Sequence, residues 1–136
     1  MVDALRSAGH VLRPRGRVVD LRPMSAYRPT IIIRRGRQRV TVGPIVRYPD
    51  PDVAAAARAV RSVVHAGDFA VVYAARPRWV ASYADLADVE RTLGASENWR
   101  LPAATRRRIK RDWRDGDAIE IMRRFSITVL RRSRLR

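Results

Sequence analysis

The chain offers three groups of residues that could do chemistry. The two histidines, His10 and His65, come first. Neither has a partner at H-x-x-x-H or H-x-x-E spacing, and a metal centre needs several converging ligands. Both fall near the end of a predicted helix, where a partial positive charge suits the dipole, and that is the reading preferred for them. Asp20, Arg22 and Tyr27 form the second group. They sit at or just past the C-terminal end of a predicted strand, where α/β sheets bind ligands. The competing reading is that Asp20 and Arg22 pair with each other or with nearby backbone. The third group lies in TRRRIKRDWR, Thr105 to Arg114, where Arg106, Arg107, Arg108, Lys110 and Arg111 surround an Ile109/Trp113 seam. Arginines beside an aromatic can clamp phosphates and stack on bases. The plainer reading is a helix that buries a narrow seam and solvates the rest. No helix-turn-helix, zinc-finger or RNA-binding sheet signature accompanies it.

The elements that must position these residues follow from pattern. Asp3 can cap a helix through about Leu12, with Leu5, Ala8, Val11 and Leu12 as its buried stripe. Gly9 weakens that helix by about 1 kcal/mol relative to Ala. Pro14 and Gly16 turn the chain into a strand, Arg17 to Leu21. Its Val18, Val19 and Leu21 are nearly continuous, which suits a strand covered on both faces. Thr30 to Arg34 and Gln38 to Val42 read as a hairpin around Arg35-Gly36-Arg37. Asp50-Pro51 opens a helix that Gly67 closes. Phe69 to Tyr73 is a strand, and Trp79 to Ser82 continues or pairs with it. Ser82 and Asp85 have capping-box spacing ahead of a helix ending at Gly94. A further short helix spans Pro102 to Trp113, stopped by Gly116. The last strand, Ala118 to Leu130, alternates Ile119, Ile121, Phe125, Ile127 and Val129 with more polar residues, and Arg123 is the one break in its apolar face.

Composition bounds the answer. At 136 residues, 46% hydrophobic and 31% charged, the chain reads as one globular domain, residues 1–130, with a basic tail at 131–136. There is no cysteine, which excludes disulfides and thiolate metal sites. No apolar run approaches the roughly 20 residues of a membrane span, and the N-terminus lacks the apolar core of a signal peptide. The expected location is the cytoplasm. The net charge of +16 is uneven. Residues 1–50 carry 11 basic and 3 acidic side chains, residues 51–100 carry 6 of each, and residues 101–136 carry 12 and 4. Such ends attract polyanions. All the basic residues except Lys110 are arginine, however, a bias of GC-rich coding that also yields ordinary solvated surface.

The stretch Val11 to Pro23, VLRPRGRVVDLRP, carries a family resemblance. It resembles the helix, turn and fifth strand of class I S-adenosylmethionine-dependent methyltransferases, whose helix ends in a V-L-x-P-G-G turn. Val11, Leu12, Pro14 and Gly16 match, and Arg15 stands where the first Gly would sit. That departure is expected to move the turn from type II toward type I, since φ > 0 strains an arginine. The resemblance implies a partial Rossmann-like α/β sheet holding the last three strands. Arg17 to Leu21 would be strand five, Asp52 to His65 the next helix, Phe69 to Ser82 would hold strand six, and the long antiparallel Ala118 to Leu130 would be strand seven. Thr30 to Val42 and Asp85 to Gly116 would be an inserted hairpin and two inserted short helices. The family's Gly-rich turn and acidic ribose partner have no counterpart here. The expectation is therefore a C-terminal fragment, inactive on its own, with S-adenosylmethionine the cofactor of the full-length family and none bound by this chain. Asp20, Arg22 and Tyr27 would border the acceptor substrate, and catalytic residues are not identified. Without strand four, strand five keeps an open edge that invites self-association. The alternative is a small basic nucleic-acid-binding protein with weak, non-specific affinity, and neither reading involves a membrane.

Overall fold

A computed structural model of the chain describes residues 2–13, 15–24 and 26–133. Its elements run α1 (Val2–Val11), β1 (Arg17–Pro23), β2 (Thr30–Arg35), β3 (Gln38–Pro44), β4 (Val46–Arg47), α2 (Pro51–His65), β5 (Phe69–Ala75), β6 (Arg78–Tyr83), α3 (Leu86–Gly94), β7 (Trp99–Arg100), α4 (Ala103–Asp112) and β8 (Ala118–Arg132). The fold is mixed α/β, and every strand pairing among the described residues is antiparallel. Contacts gather the chain into two compact units, Met1–Ser25 with Asp50–Pro77 and Phe125–Arg136, and Ala26–Pro49 with Arg78–Arg124. The expectation of a single unit did not include this division. No described helix is long and apolar enough to cross a membrane.

In the first unit, β8 lies between β1 and β5 and is antiparallel to both, so β1 and β5 run parallel to each other. Val60, Val63, Phe69 and Leu130 form its buried core, with Leu5, Leu12 and Val18 packed against them. The caps of α2 are as the sequence suggests. The Asp50 side chain accepts from the amides of Asp52 and Val53, and Pro51 is the first helical residue. At the other end, Gly67 N–H donates to the Val64 carbonyl and Asp68 N–H to that of Val63, a Schellman closure. Gly9 has a packing role rather than only a propensity cost. A Cβ there would sit 3.1 Å from the Phe69 ring.

Several expectations for this unit are corrected. Val11 is 83% exposed and lies outside the buried stripe of α1. Asp3 lies inside the first turn of α1, which begins at Val2. Val19 and Leu21 are 64% and 60% exposed, so β1 is covered on one face only. Arg15 does carry a positive φ, 67°, while Gly16 N–H donates to the Arg13 carbonyl at 2.8 Å. A positive φ at the third position is the type II signature, so the turn has not moved toward type I. Hydrogen bonding across the turn outweighs the local strain. Pro14, at the second position, lies outside the described residues. The last strand continues through Arg132, two residues into the expected tail, and residues 134–136 of that tail also lie outside. In this half of β8 the fully buried residue is Leu130, whereas Ile127 and Val129 are only half-buried.

In the second unit the sheet order is β6-β8-β2-β3, with β4 and β7 as a separate two-stranded ribbon that sequence reading did not anticipate. Ile31, Ile33, Ile45, Val89, Ile109, Ile119 and Ile121 build the core under α3 and α4. Each such aliphatic contributes about 1.5–3 kcal/mol by leaving water. The hairpin of β2 and β3 turns at Gly36, φ 57°. β5 and β6 do not pair with each other; each pairs with its own stretch of β8. The N-cap of α3 is Asp85, accepting from Asp88 N–H, and not Ser82. α4 ends at Asp112, with Trp113 as its C-cap, and Gly116 belongs to the following turn instead of stopping the helix. Against β3, α4 comes so close that a Cβ on Gly43 would lie 2.7 Å from Thr105 Oγ1.

Candidate functional site

Asp20 and Arg22 alternate to the same side of β1, two residues apart. Arg22 Nε donates to both Asp20 oxygens, at 2.9 and 2.8 Å, and the two side chains are only 12% and 17% exposed. The structure thus places this pair in each other's grip, satisfying the carboxylate locally. Tyr27 belongs to the other unit, where the Arg124 guanidinium lies 5.2 Å from its ring centroid. His10 and His65 are both exposed in the last turns of their helices. No group of three or more metal-ligating side chains occurs among the described residues.

The basic helix is more occupied than its sequence suggests. Arg106 Nε pairs with Glu90 at 2.8 Å. Arg108 Nη1 donates to the Val42 carbonyl at 3.2 Å. Arg111 forks onto Asp112 at 2.6 and 2.9 Å and holds that carboxyl below the usual carboxylate range. Only Arg107 and Lys110 of the five are exposed with no ion pair or hydrogen bond among the described residues. Ile109 is buried, while Trp113 Nε1 donates to the Asp117 carbonyl. The buried Asp117 carboxylate in turn receives the Arg35 fork at 3.0 and 2.7 Å and the Arg114 amide, and Arg35 chiefly lowers its pKa.

Other arginines of this unit are held by aromatic faces or by a buried acid. Arg123 sits 4.3 Å from the Trp99 centroid, which resolves the break it makes in the apolar face of β8. Arg47, cross-strand from Trp99, lies 5.9 Å from the same ring. Glu120, 3% exposed, takes a hydrogen bond from Arg34 at 2.7 Å, and Arg39 stands 3.2 Å from its other oxygen, near enough for an ion pair but not in hydrogen-bonding geometry.

A cluster of cations without counter-charges among the described residues lies in the first unit. A cleft of about 480 Å³ is lined by Arg15, Arg17, Ala70, Arg131, Arg132 and Ser133. Arg17 and Arg131 stand directly opposite each other across the β1–β8 ladder, a repulsive cross-strand pair. Arg132 anchors itself by donating to the Gly9 carbonyl at 3.0 Å. Among the described residues, Arg15, Arg17 and Arg131 have no ion pair or hydrogen bond and no carboxylate lines the cleft. Four guanidinium groups with no counter-charge among the described residues would attract an anion. Sequence reading missed it because the register of β1 on β8 joins opposite ends of the chain. The one available signal was the paired basic content of those two ends. Comparison of the chain with protein-family models, with curated proteins and with solved structures finds no match.

Proposed function

We propose that the first unit is the closing half of a class I methyltransferase-like sheet, strands five to seven, and that this chain does not transfer methyl groups on its own. The observation that carries the reading is the placement of antiparallel β8 between the parallel strands β1 and β5, the order the resemblance implies for strands five, seven and six. The inserted hairpin and the two inserted helices, as β2–β3 and α3–α4, are compatible with it. The edge of β1 that pairs with nothing among the described residues, with the exposed Val19 and Leu21, is where a fourth strand and its covering helix would pack. Asp20 and Arg22 then serve as a structural pair at the end of strand five. Calorimetric titration with S-adenosylmethionine tests the reading. This chain shows no stoichiometric binding, whereas a chain extended through in-frame upstream coding sequence, with a Gly-rich strand–turn–helix, binds at micromolar level. Micromolar binding by the present chain, or the lack of such an upstream segment, refutes it.

A second reading, binding of nucleic acid, is favoured by the four-arginine cleft together with the net charge of +16. Its signature is affinity that collapses between about 50 and 200 mM salt.

A further inference from the structure

We infer that the cleft at the start of β1 and the sheet face beside it form a binding site for single-stranded nucleic acid, with backbone phosphate on the arginines and a base on Tyr73. The inference rests on the nucleic-acid reading and moves it from the basic helix α4 to the first unit. Residues paired directly across an antiparallel ladder share one face. Arg17, Arg131 and Ala70 therefore lie in one row across β1, β8 and β5. Val19, Val129 and Tyr73 form the next row of the same face. Rows on a strand face repeat about every 7 Å, a separation suited to a phosphate and the base it carries. Tyr73 is 56% exposed and Val19 64%. Among the described residues the Tyr73 ring has no stacking partner and its hydroxyl no hydrogen bond.

The chemistry of the two rows is complementary to one kind of ligand. Among the described residues the cleft has excess positive charge and no acid, which suits an anionic ligand. The neighbouring row is apolar and aromatic and needs a flat, weakly polar group, which an inorganic anion lacks. A splayed single strand offers both, as base stacking on an aromatic tolerates any sequence. A duplex keeps its bases in the stack and offers only the phosphates. The helix α4 is the poorer site, since only Arg107 and Lys110 lack a partner there.

Fluorescence anisotropy with a labelled oligothymidylate of about a dozen nucleotides, and with a duplex of equal length, tests the inference. Arg17→Gln with Arg131→Gln removes a repulsive pair, so the variant remains folded. It should bind the single strand at least about tenfold more weakly, with a salt slope shallower by about 1.4, two phosphate contacts at about 0.7 each. Tyr73→Ala should weaken single-strand binding about fivefold or more and leave the slope unchanged. Arg107→Gln with Lys110→Gln should change the affinity by less than about twofold. Binding that persists through the first two variants and falls with the third places the site on α4 and overturns the inference, while the nucleic-acid reading survives. Inorganic triphosphate that displaces the strand at micromolar level, with Tyr73→Ala silent, makes the cleft a small-anion site and also overturns it. No binding of either oligonucleotide at low salt refutes the nucleic-acid reading itself.

Discussion

Gly43→Ala is expected to destabilise the second unit through a single contact. The new Cβ would lie 2.7 Å from Thr105 Oγ1, while Thr105 Cγ2 and Cβ are at 3.4 and 3.5 Å, ordinary contact distances. The Thr105 side chain cannot simply move aside. It is β-branched and stiff, it is 3% exposed, and its hydroxyl donates to the Pro44 carbonyl at 3.0 Å. Rotating it away leaves a buried hydroxyl without a partner, at about 1–3 kcal/mol, and shifting the helix strains the packing around Ile109 by a similar amount. Gly43 does not hold a positive φ, so alanine also recovers about 0.4–1 kcal/mol by restricting the unfolded chain. The net loss comes to about 1–2 kcal/mol. Thr105→Ala alone costs about 1–2 kcal/mol, a hydrogen bond and a methyl group. In the Thr105→Ala background the alanine at position 43 meets only an ordinary contact and keeps its entropic gain of about 0.4–1 kcal/mol. The predicted coupling is therefore about 2 kcal/mol. Urea unfolding followed by tryptophan fluorescence is the assay, because Trp79, Trp99 and Trp113 all belong to this unit. Strictly additive losses would refute the argument, showing that α4 does not bear on Gly43.

Three further outcomes are expected. Arg15→Gly removes a left-handed arginine and should stabilise the chain by about 0.5–1 kcal/mol after the entropy of glycine is subtracted, read as a higher thermal midpoint; an unchanged or lower midpoint contradicts the strain at φ 67°. The Asp117 carboxyl is lowered chiefly by its hydrogen bonds from Arg35, so its stabilising contribution is complete above the unfolded value near 3.9 and is lost as pH falls through the folded one. Arg35→Gln should then be less stable at neutral pH, with the gap to wild type narrowing below about pH 4; a gap constant with pH would exclude the linkage. The outer edge of β1 pairs with nothing among the described residues, so the chain should self-associate at physiological salt and less at low salt, where its arginines repel. Light scattering after size exclusion is the measure, with Val19→Lys restoring the monomer; a monodisperse monomer of the unmodified chain at both salts would mean that the edge is protected.

What the sequence discloses here is local chemistry. Asp50-Pro51 names the start of α2 because cap and first-turn residues act within four positions. The hairpin at Gly36 is legible for the same reason. Gly9 is not, since its purpose is a ring that arrives from Phe69. The continuous Val18-Val19 run signals burial on two faces, but whether a second face is covered depends on what else packs there. The basic helix looked most available because its charges are consecutive, yet their partners Glu90 and Val42 come from distant strands and helices. The cleft shows the converse case, with each of its arginines unremarkable in its own segment.

One strand, β8, pairs with strands of both units, and it follows all the other described elements in the chain. β1 ends at Pro23, and the Ile31–Ile33 run that the second core needs follows soon after, but their common partner begins only at Ala118. At about 5–20 residues per second β1 waits some 5–20 s on the ribosome with no ladder to join, and β2 has only its hairpin partner β3. Helices α1 and α2 can form in that interval, while neither sheet can close. Truncation before Ala118 should therefore abolish both units together, and the nascent chain should depend on chaperones far more than its modest length implies.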